Sequence, residues 1–413
     1  MGSDPEVIII GGGVFGCSTA HHLATKGCRD VLLLEARDIG SQSTSQAAGF
    51  IRVLRGSALM TQIARYAIEA FERFQAETGH DIGLRQPGAF LIALGEVTAA
   101  RLRAWTERGT HLGVVSRLIS LEEARERLPL LTTEGVRAVV YEPRDAYLDP
   151  PEVAIGYARA AAARGVRIET GRPVRAIEVE GGRVVAVRTD REHLPTRWVV
   201  LAGGAWGPDL ARRCGCALPT VPVRHQLHIT APLPGVRPDF PMVRFPELAT
   251  YLRPARGGLM VGGYEPNPSS YDPREVTDGL DVRRLEPDRQ ALRDLTKRVT
   301  PFFPALDGAA IAAEQQGLPT LTPDGLPLLG EVPGIRGLLV ASGDNVGGVS
   351  ISPTVGHILS DLILRGTAPY DLAAMAVGRF GSRYRDLAAL RRACEARYAE
   401  FGQNYVLVNG RAS

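Results

Sequence analysis

Fully apolar runs separated by small or polar residues recur along this 413-residue chain. Val7-Ile8-Ile9-Ile10 shows no alternation, the pattern of a parallel strand buried on both faces. "GGGVFG" follows at once, then "CSTAHHLATKG", a helix that Gly27 stops, then a second apolar run from Val31 to Leu34 that ends on Glu35. Ser57 is placed to cap the helix that begins in "SALMTQIARYAIEAFERF". Further on, Asp149 precedes two prolines and a helix predicted from about 152 to 164, with Gly165 as its stop and 166–169 as a strand. "PVRAIEVEGGRVVAVRTD" predicts a hairpin turning at Gly181-Gly182. "WVVLAGGAW" is another buried strand opening into small residues. Residues 338–341 predict a strand, followed by a glycine loop and a helix with Pro353 near its first turn.

Two stretches, roughly 85–144 and 221–308, break this α/β pattern with alternating strands and proline-rich turns. The expected architecture is α/β, α+β overall. A Rossmann-type domain is built from 1–84, 145–220 and 309–375. A mostly antiparallel-sheet domain made of 85–144 and 221–308 is inserted into it, and 376–413 forms a helical tail. The tail segment "SRYRDLAALRRACEARYAEF" reads as an amphipathic basic helix, packing across its own domain or meeting a partner or membrane surface.

Composition narrows the function. The length allows more than one core. A hydrophobic fraction of 45% and a charged fraction of 23% are ordinary for a globular protein, and a net charge of +3 carries no nucleic-acid footprint. Lys26 and Lys297 are the only lysines, so arginine supplies nearly all the positive charge. Five cysteines without a CxxC pair exclude a disulfide framework, and Cys214-Gly-Cys216 lacks the second pair that a zinc site needs. Asp4 and Glu6 precede the first apolar run where a signal peptide has basic residues, and no run approaches the ~18 apolar residues of a membrane helix. No metal, no membrane span and a cytoplasmic location are the expectations.

Gly11, Gly13 and Gly16 fall in the GxGxxG register between a buried strand and a helix, and Glu35 ends the next strand. That order is the context a bare glycine motif lacks. Gly11 allows the tight turn, Gly13 lets backbone approach a pyrophosphate, and Gly16 lets helix pack on sheet. The helix N-terminus receives the phosphates, and Glu35 accepts from the adenosine ribose. A dinucleotide binds here. His21 and His22 are adjacent on this helix, about 100° apart, and cannot chelate one metal together.

"VIIIGGGVFG", "LLLEAR", "STSQAAGFIRVLR", "YLDP", "VVLAGGAW" and "GLLVASGDNVGGVSISPTVG" occur in that order. Through them the chain resembles the D-amino-acid-oxidase superfamily of flavoproteins, over roughly residues 7–369. Within it the chain resembles the sarcosine and dimethylglycine oxidases and dehydrogenases; "VRHQLHIT" and "YLRPARGGLMVGGYEPNP" are similar to the dimethylglycine type. With no folate-binding extension after Phe401, a stand-alone flavin subunit is expected.

The resemblance implies FAD. Gly11, Gly13, Gly16, Glu35 and Arg37 would hold its ADP half, and the backbone of Val174 would meet the adenine. Ser43, Thr44, Ser45, Gln46, Ala48 and Gly49 would run beside the isoalloxazine, with Arg52 beside the flavin; Gly203 and Trp206 are further cofactor-binding candidates, the latter packing at the domain junction. Gly343, Asn345, Val346, Gly347, Gly348, Val349, Ser350 and Ile351 would face the pyrimidine edge. There a helix N-terminus suits the negative charge that reduction places on N1 and O2. Relatives that bind flavin covalently use a histidine where Gln46 stands, or a cysteine where Gly317 stands, so non-covalent FAD is expected.

Arg52 and Arg55 reproduce an Arg-x-x-Arg spacing in which the second arginine binds the substrate carboxylate through its planar fork. His225 and Tyr251 correspond to a His/Tyr pair over the flavin, with His228 and Tyr264 in reserve. Other family cations are missing: Pro319, Ser350 and Met260 occupy two carboxylate-binding positions and the oxygen-activating position. Neither lysine replaces them, which favours a dehydrogenase over an oxidase. The implied partners are a small amino-acid substrate and an electron acceptor, O2 or a protein or quinone, with oligomer formation left open. Three functions remain. One is C–N oxidation of a sarcosine- or dimethylglycine-like amino acid. The second is a flavin dehydrogenase of a D-amino acid, opine or 2-hydroxy acid. The third is a non-catalytic flavin-carrying assembly subunit.

Overall fold

The structure is a computed structural model and describes residues 4–403. Its main elements in chain order are β1 (Val7–Ile10), α1 (Val14–Thr25), β2 (Val31–Leu34), α2 (Ala58–Thr78), β3 (Ala89–Ala93), β4 (Arg117–Ile119), β5 (Ala138–Glu142), α3 (Pro150–Ala162), β6 (Arg167–Glu169) and β7 (Trp198–Leu201). They continue with β8 (His225–Thr230), β9 (Met242–Phe245), β10 (Thr250–Ala255), β11 (Gly258–Gly263), β12 (Ile311–Gly317), β13 (Leu328–Glu331), β14 (Leu338–Ser342), α4 (Gly348–Arg365) and α5 (Leu387–Gln403).

A six-stranded sheet runs β13-β14-β7-β1-β2-β6, parallel except where β13 meets β14. Its central strands β1 and β2 are buried along their whole length, as their unbroken apolar runs predict. Helices α1, α3 and α4 pack against one face. Ser57 caps α2 by accepting from the backbone of Met60, and Gly79 ends that helix in the left-handed region.

The second sheet has eight strands in the order β12-β8-β11-β10-β9-β3-β5-β4, antiparallel except between β9 and β3. One boundary differs from the sequence reading, which assigned 309–375 to the Rossmann domain. β12 instead pairs antiparallel with β8 at the edge of the large sheet. Its pairing partner is distant in sequence, so nothing local announces it.

Helix α5 docks on the protein's own core. Leu390, Cys394 and Tyr398, four residues apart, form its buried face and pack with Val221, Val223, Tyr251 and Tyr264. Among the described residues, no helix is long and apolar enough to cross a membrane.

Candidate active site

A cavity of about 570 Å³ runs from the glycine turn after β1 to the face of the eight-stranded sheet, with Gly11 and Glu35 at one end and His225 and Tyr251 at the other. Backbone geometry fixes the first end. Gly11 has φ +110°, and a Cβ there would lie 2.4 Å from the carbonyl oxygen of Ala202. A Cβ on Gly16 would lie 1.9 Å from the carbonyl oxygen of Gly11; Gly16 serves packing and does not line the cavity. Gly13 is the N-cap of α1 and offers no side chain, so the first turn presents its N–H groups to the cavity.

Glu35 accepts from the backbone N–H of Gly12 at 2.6 Å and of Arg37 at 2.7 Å. Burial raises its pKa, while these two bonds favour the ionised form. Val174 and Gly203 line the same end. Arg37 donates to the carbonyls of Asp278 and Leu280, and Trp206 Nε1 donates to the carbonyl of Thr277 at 2.9 Å. Arg37 and Trp206 thus hold the chain around 277–280 as well as lining the cavity, which Thr277 and Asp278 also line.

Residues 43–46 form a single 3₁₀ turn. Ser43, Thr44, Gln46, Ala48 and Gly49 line the cavity, whereas Ser45 turns back to the carbonyls of Ser41 and Gln42. At the start of α4, Val346, Gly347, Gly348, Val349 and Ser350 reach the wall, and Gly347 is an N-cap without a capping side chain. Gly343, Asn345 and Ile351 do not reach it. Gly343 makes the turn at φ +69°, Ile351 packs in the core, and Asn345 accepts from the backbone N–H of Thr322. Asn345 at φ +47° and Val346 at φ +64° both sit in the left-handed region, which strains a β-branched residue. Asp344, not singled out from sequence, also lines this end, and burial pushes its carboxyl up to about 7.

Arg52 and Arg55 are placed differently from the expectation, for neither lines the cavity. Arg52 is buried with its guanidinium 5.8 Å from the ring centre of Trp105. Arg55 donates from Nη2 to Ser350 Oγ at 2.7 Å and from Nε to the carbonyl of Arg52 at 3.1 Å. The Arg-x-x-Arg spacing therefore ties the chain after the 3₁₀ turn to the start of α4.

The arginine that does line the far end is Arg244 on β9, which sequence reading passed over. It stands directly opposite Tyr251 of β10 in the antiparallel register, so both side chains share one face. Its Nη1 lies 3.5 Å from the buried carboxylate of Asp145, and its guanidinium stacks over Phe50. The available signal was "MVRF", a charge inside an otherwise apolar buried strand, which needs a partner.

His225 and Tyr251 meet. His225 Nε2 lies 2.7 Å from Tyr251 Oη, and His225 Nδ1 lies 2.8 Å from the hydroxyl of Tyr398 on α5. Burial lowers the His225 pKa to about 4, so the ring is neutral at physiological pH. Tyr264 packs against this group with its ring centre 5.1 Å from that of His225. His228 turns away to Thr296, and Met260 packs with Leu227 and Ile229. Lys26 is paired with Asp361 at 2.9 Å, and Lys297 is exposed. Among the described residues, no three His, Cys, Asp or Glu side chains gather as a metal site.

The DAO family of FAD-dependent oxidoreductases matches residues 6–362. The chain belongs to that family. Relatives of this DAO-family chain include the mitochondrial dimethylglycine dehydrogenase of Homo sapiens, 31% identical over 91% of this chain and 44% of that protein. The chain thus spans less than half the length of the dimethylglycine dehydrogenases it matches. Among solved structures, L-proline dehydrogenase from P. horikoshii aligns with a TM-score of 0.83 and 26% identity, covering 92% of this chain and 98% of that one. Glycine oxidase from Geobacillus kaustophilus aligns with a TM-score of 0.78 and 28% identity, covering 91% and 99%. FAD is the family's cofactor, and the crowded glycines, bare helix N-termini and elongated cavity of this chain fit it.

Proposed function

We propose that this DAO-family chain oxidises the C–N bond of a small secondary or tertiary amino acid, sarcosine- or dimethylglycine-like. One observation carries the reading: Arg244 and Tyr251 stand side by side on one sheet face and line the same cavity as His225. An arginine fork and a phenol beside it suit a carboxylate, so Arg244 takes the role expected of Arg55. Buried, neutral His225 holds Tyr251 in place and leaves an uncharged wall beside the substrate amine. Oxidation needs that nitrogen's lone pair free: a carbon bonded to the nitrogen loses hydride as the lone pair forms C=N, and water then cleaves the product. Bound FAD supplies the acceptor for the hydride and its electron pair. Gly11, Gly13 and Glu35 would hold the ADP half, with Gln46, Gly49 and the start of α4 along the rest. The protein's part is to hold the carbon in place and exclude bulk water.

The absence of a lysine at Met260 supports an acceptor other than O2, such as a protein or quinone. Five free cysteines support a reducing, cytoplasmic setting. The test is anaerobic mixing with sarcosine, dimethylglycine, proline, D-alanine and 2-hydroxyglutarate while the flavin's visible band is followed. Bleaching by an N-methyl or cyclic amino acid is expected, and admitting air then separates oxidase from dehydrogenase. Bleaching by the hydroxy acid alone, or by none of them, defeats the reading.

A further inference from the structure

We infer that Tyr398, on the C-terminal helix α5, is a positioning residue that fixes the tautomer of His225 and thereby directs the hydroxyl proton of Tyr251 away from His225, towards the cavity. The inference deepens the proposed function and rests on its assignment of Tyr251 to the substrate site.

The argument is a count of protons. Tyr398 is fully buried, and among the described residues its hydroxyl bonds His225 Nδ1 alone, at 2.8 Å. A buried hydroxyl with one partner must donate to it, since the alternative leaves an O–H unsatisfied in the core. Nδ1 is therefore the acceptor. A neutral imidazole carries one proton, so it resides on Nε2. Nε2, 2.7 Å from Tyr251 Oη, then donates to that oxygen. Tyr251 has one hydroxyl proton of its own, and with its oxygen accepting from His225 that proton lies on the side away from the ring. Tyr251 lines the cavity beside Arg244. The relay hands the site a second donor next to the guanidinium, matched to the second oxygen of a carboxylate. The opposite tautomer would make Tyr251 donate to His225 and present only lone pairs, which repel a carboxylate.

The structure also shows why α5 can set this order. Leu390, Cys394 and Tyr398 bury one face of the helix, and the ring of Tyr398 packs edge-on against Tyr264 and His225. These contacts fix the ring that carries the hydroxyl.

The test uses FAD-loaded full-length protein with ¹⁵N-labelled histidine, assigning the His225 signals by comparison with His225→Gln. The Nε2–H tautomer is expected in the unmutated protein; an Nδ1–H signal there overturns the inference and requires no variant to fold. Tyr398→Phe keeps the ring and removes the donor. It should convert His225 to Nδ1–H or a mixture. Titrating a non-reactive carboxylate such as methylthioacetate against the flavin spectrum should show binding weakened about tenfold, with KM raised more than kcat is lowered. A variant with an unchanged tautomer and unchanged binding overturns the inference, whatever its melting temperature. If the tautomer is Nε2–H and responds to Tyr398→Phe but no amino acid bleaches the flavin, the positioning role stands and the proposed substrate class fails.

Discussion

Tyr251 lies across the bare backbone of Gly262: a Cβ on Gly262 would sit 2.4 Å from Tyr251 Oη. Gly262 is on β11, between Tyr251 of β10 on one side and Leu227 of β8 on the other. His225 is two residues before Leu227 and faces the same way. A phenol must therefore cross a whole strand to reach the imidazole, and only a missing side chain on that strand lets it lie flat.

Gly262→Ala tests the relationship. The added methyl overlaps the ring and must displace Tyr251 from His225, at a cost of about 1–3 kcal/mol for an overpacked site. The expected result is a Tm lowered by a few degrees with flavin retained, together with a 10- to 100-fold loss of kcat/KM on whichever amino acid reduces the enzyme. A variant as active as the parent would show that the Tyr251–His225 contact is dispensable.

Arg244 gives the second prediction. Arg244→Lys keeps a cation near Asp145 and loses the planar fork; Arg244→Met also leaves the Asp145 carboxylate buried without that guanidinium. Truncating one side of a buried charge pair costs about 2–5 kcal/mol. Arg244→Lys should raise KM about tenfold or more with a smaller change in kcat. Arg244→Met should raise it further and lower stability as well. Parallel steady-state kinetics and urea melts separate the two effects. Arg55→Lys should raise KM less than Arg244→Lys does, since Arg55 donates to Ser350 and to the backbone carbonyl of Arg52.

These residues also show where the sequence stopped being informative. The dinucleotide end was readable because its parts are consecutive: strand, glycines, helix, strand and Glu35 all fall within one βαβ unit. The substrate end is assembled from β8, β9, β10 and α5, whose contacts are set by register between strands and by docking of a distant helix. Arg244 becomes a site residue only because it is paired with Tyr251, and Gly262 matters only because it lies beneath that ring. Arg55 shows how a local spacing leaves out a distant partner. Its spacing from Arg52 suggested a clamp, but Ser350, far away in the chain, captures its guanidinium. His225 and Tyr251 were named through family resemblance, while the third member, Tyr398, lies in a tail whose pattern announced only an amphipathic helix.

The pH dependence of stability follows from burial of His225. Its pKa is lowered to about 4, against an ordinary 6.5 in the unfolded chain. Between those values the unfolded chain binds a proton that the folded site refuses, so the folded state loses stability as pH falls from about 6.5 towards 4. The slope is on the order of 1.4 kcal/mol per pH unit for one group. His21 and His22, likewise lowered chiefly by burial, act with the same sign. His225→Gln removes one such group, so its stability should fall less steeply with acid than the parent's. Urea melts at half-unit intervals from pH 7 to 4 give the difference curve. Parallel curves would mean that His225 takes up its proton without unfolding.

The last prediction concerns how FAD is held. Covalent attachment needs a side chain able to bond the flavin, and the two family positions carry Gln46 and Gly317 here. The Gln46 amide is not a nucleophile, and Gly317 has no side chain. Both line the cavity, so neither position is hidden from the flavin. Binding must then rest on the glycine turn, Glu35 and the helix N-termini of α1 and α4. Acid precipitation of the yellow protein should leave the flavin in the supernatant, whereas colour in the pellet would reveal a covalent bond. Gly11→Ala is the complementary variant. Its Cβ would lie 2.4 Å from the Ala202 carbonyl at φ +110°, where an L side chain is strained, so the turn must shift. Flavin content should drop well below one per chain, while the antiparallel sheet keeps its cooperative melt. Full flavin occupancy in that variant would place the dinucleotide somewhere other than the turn after β1.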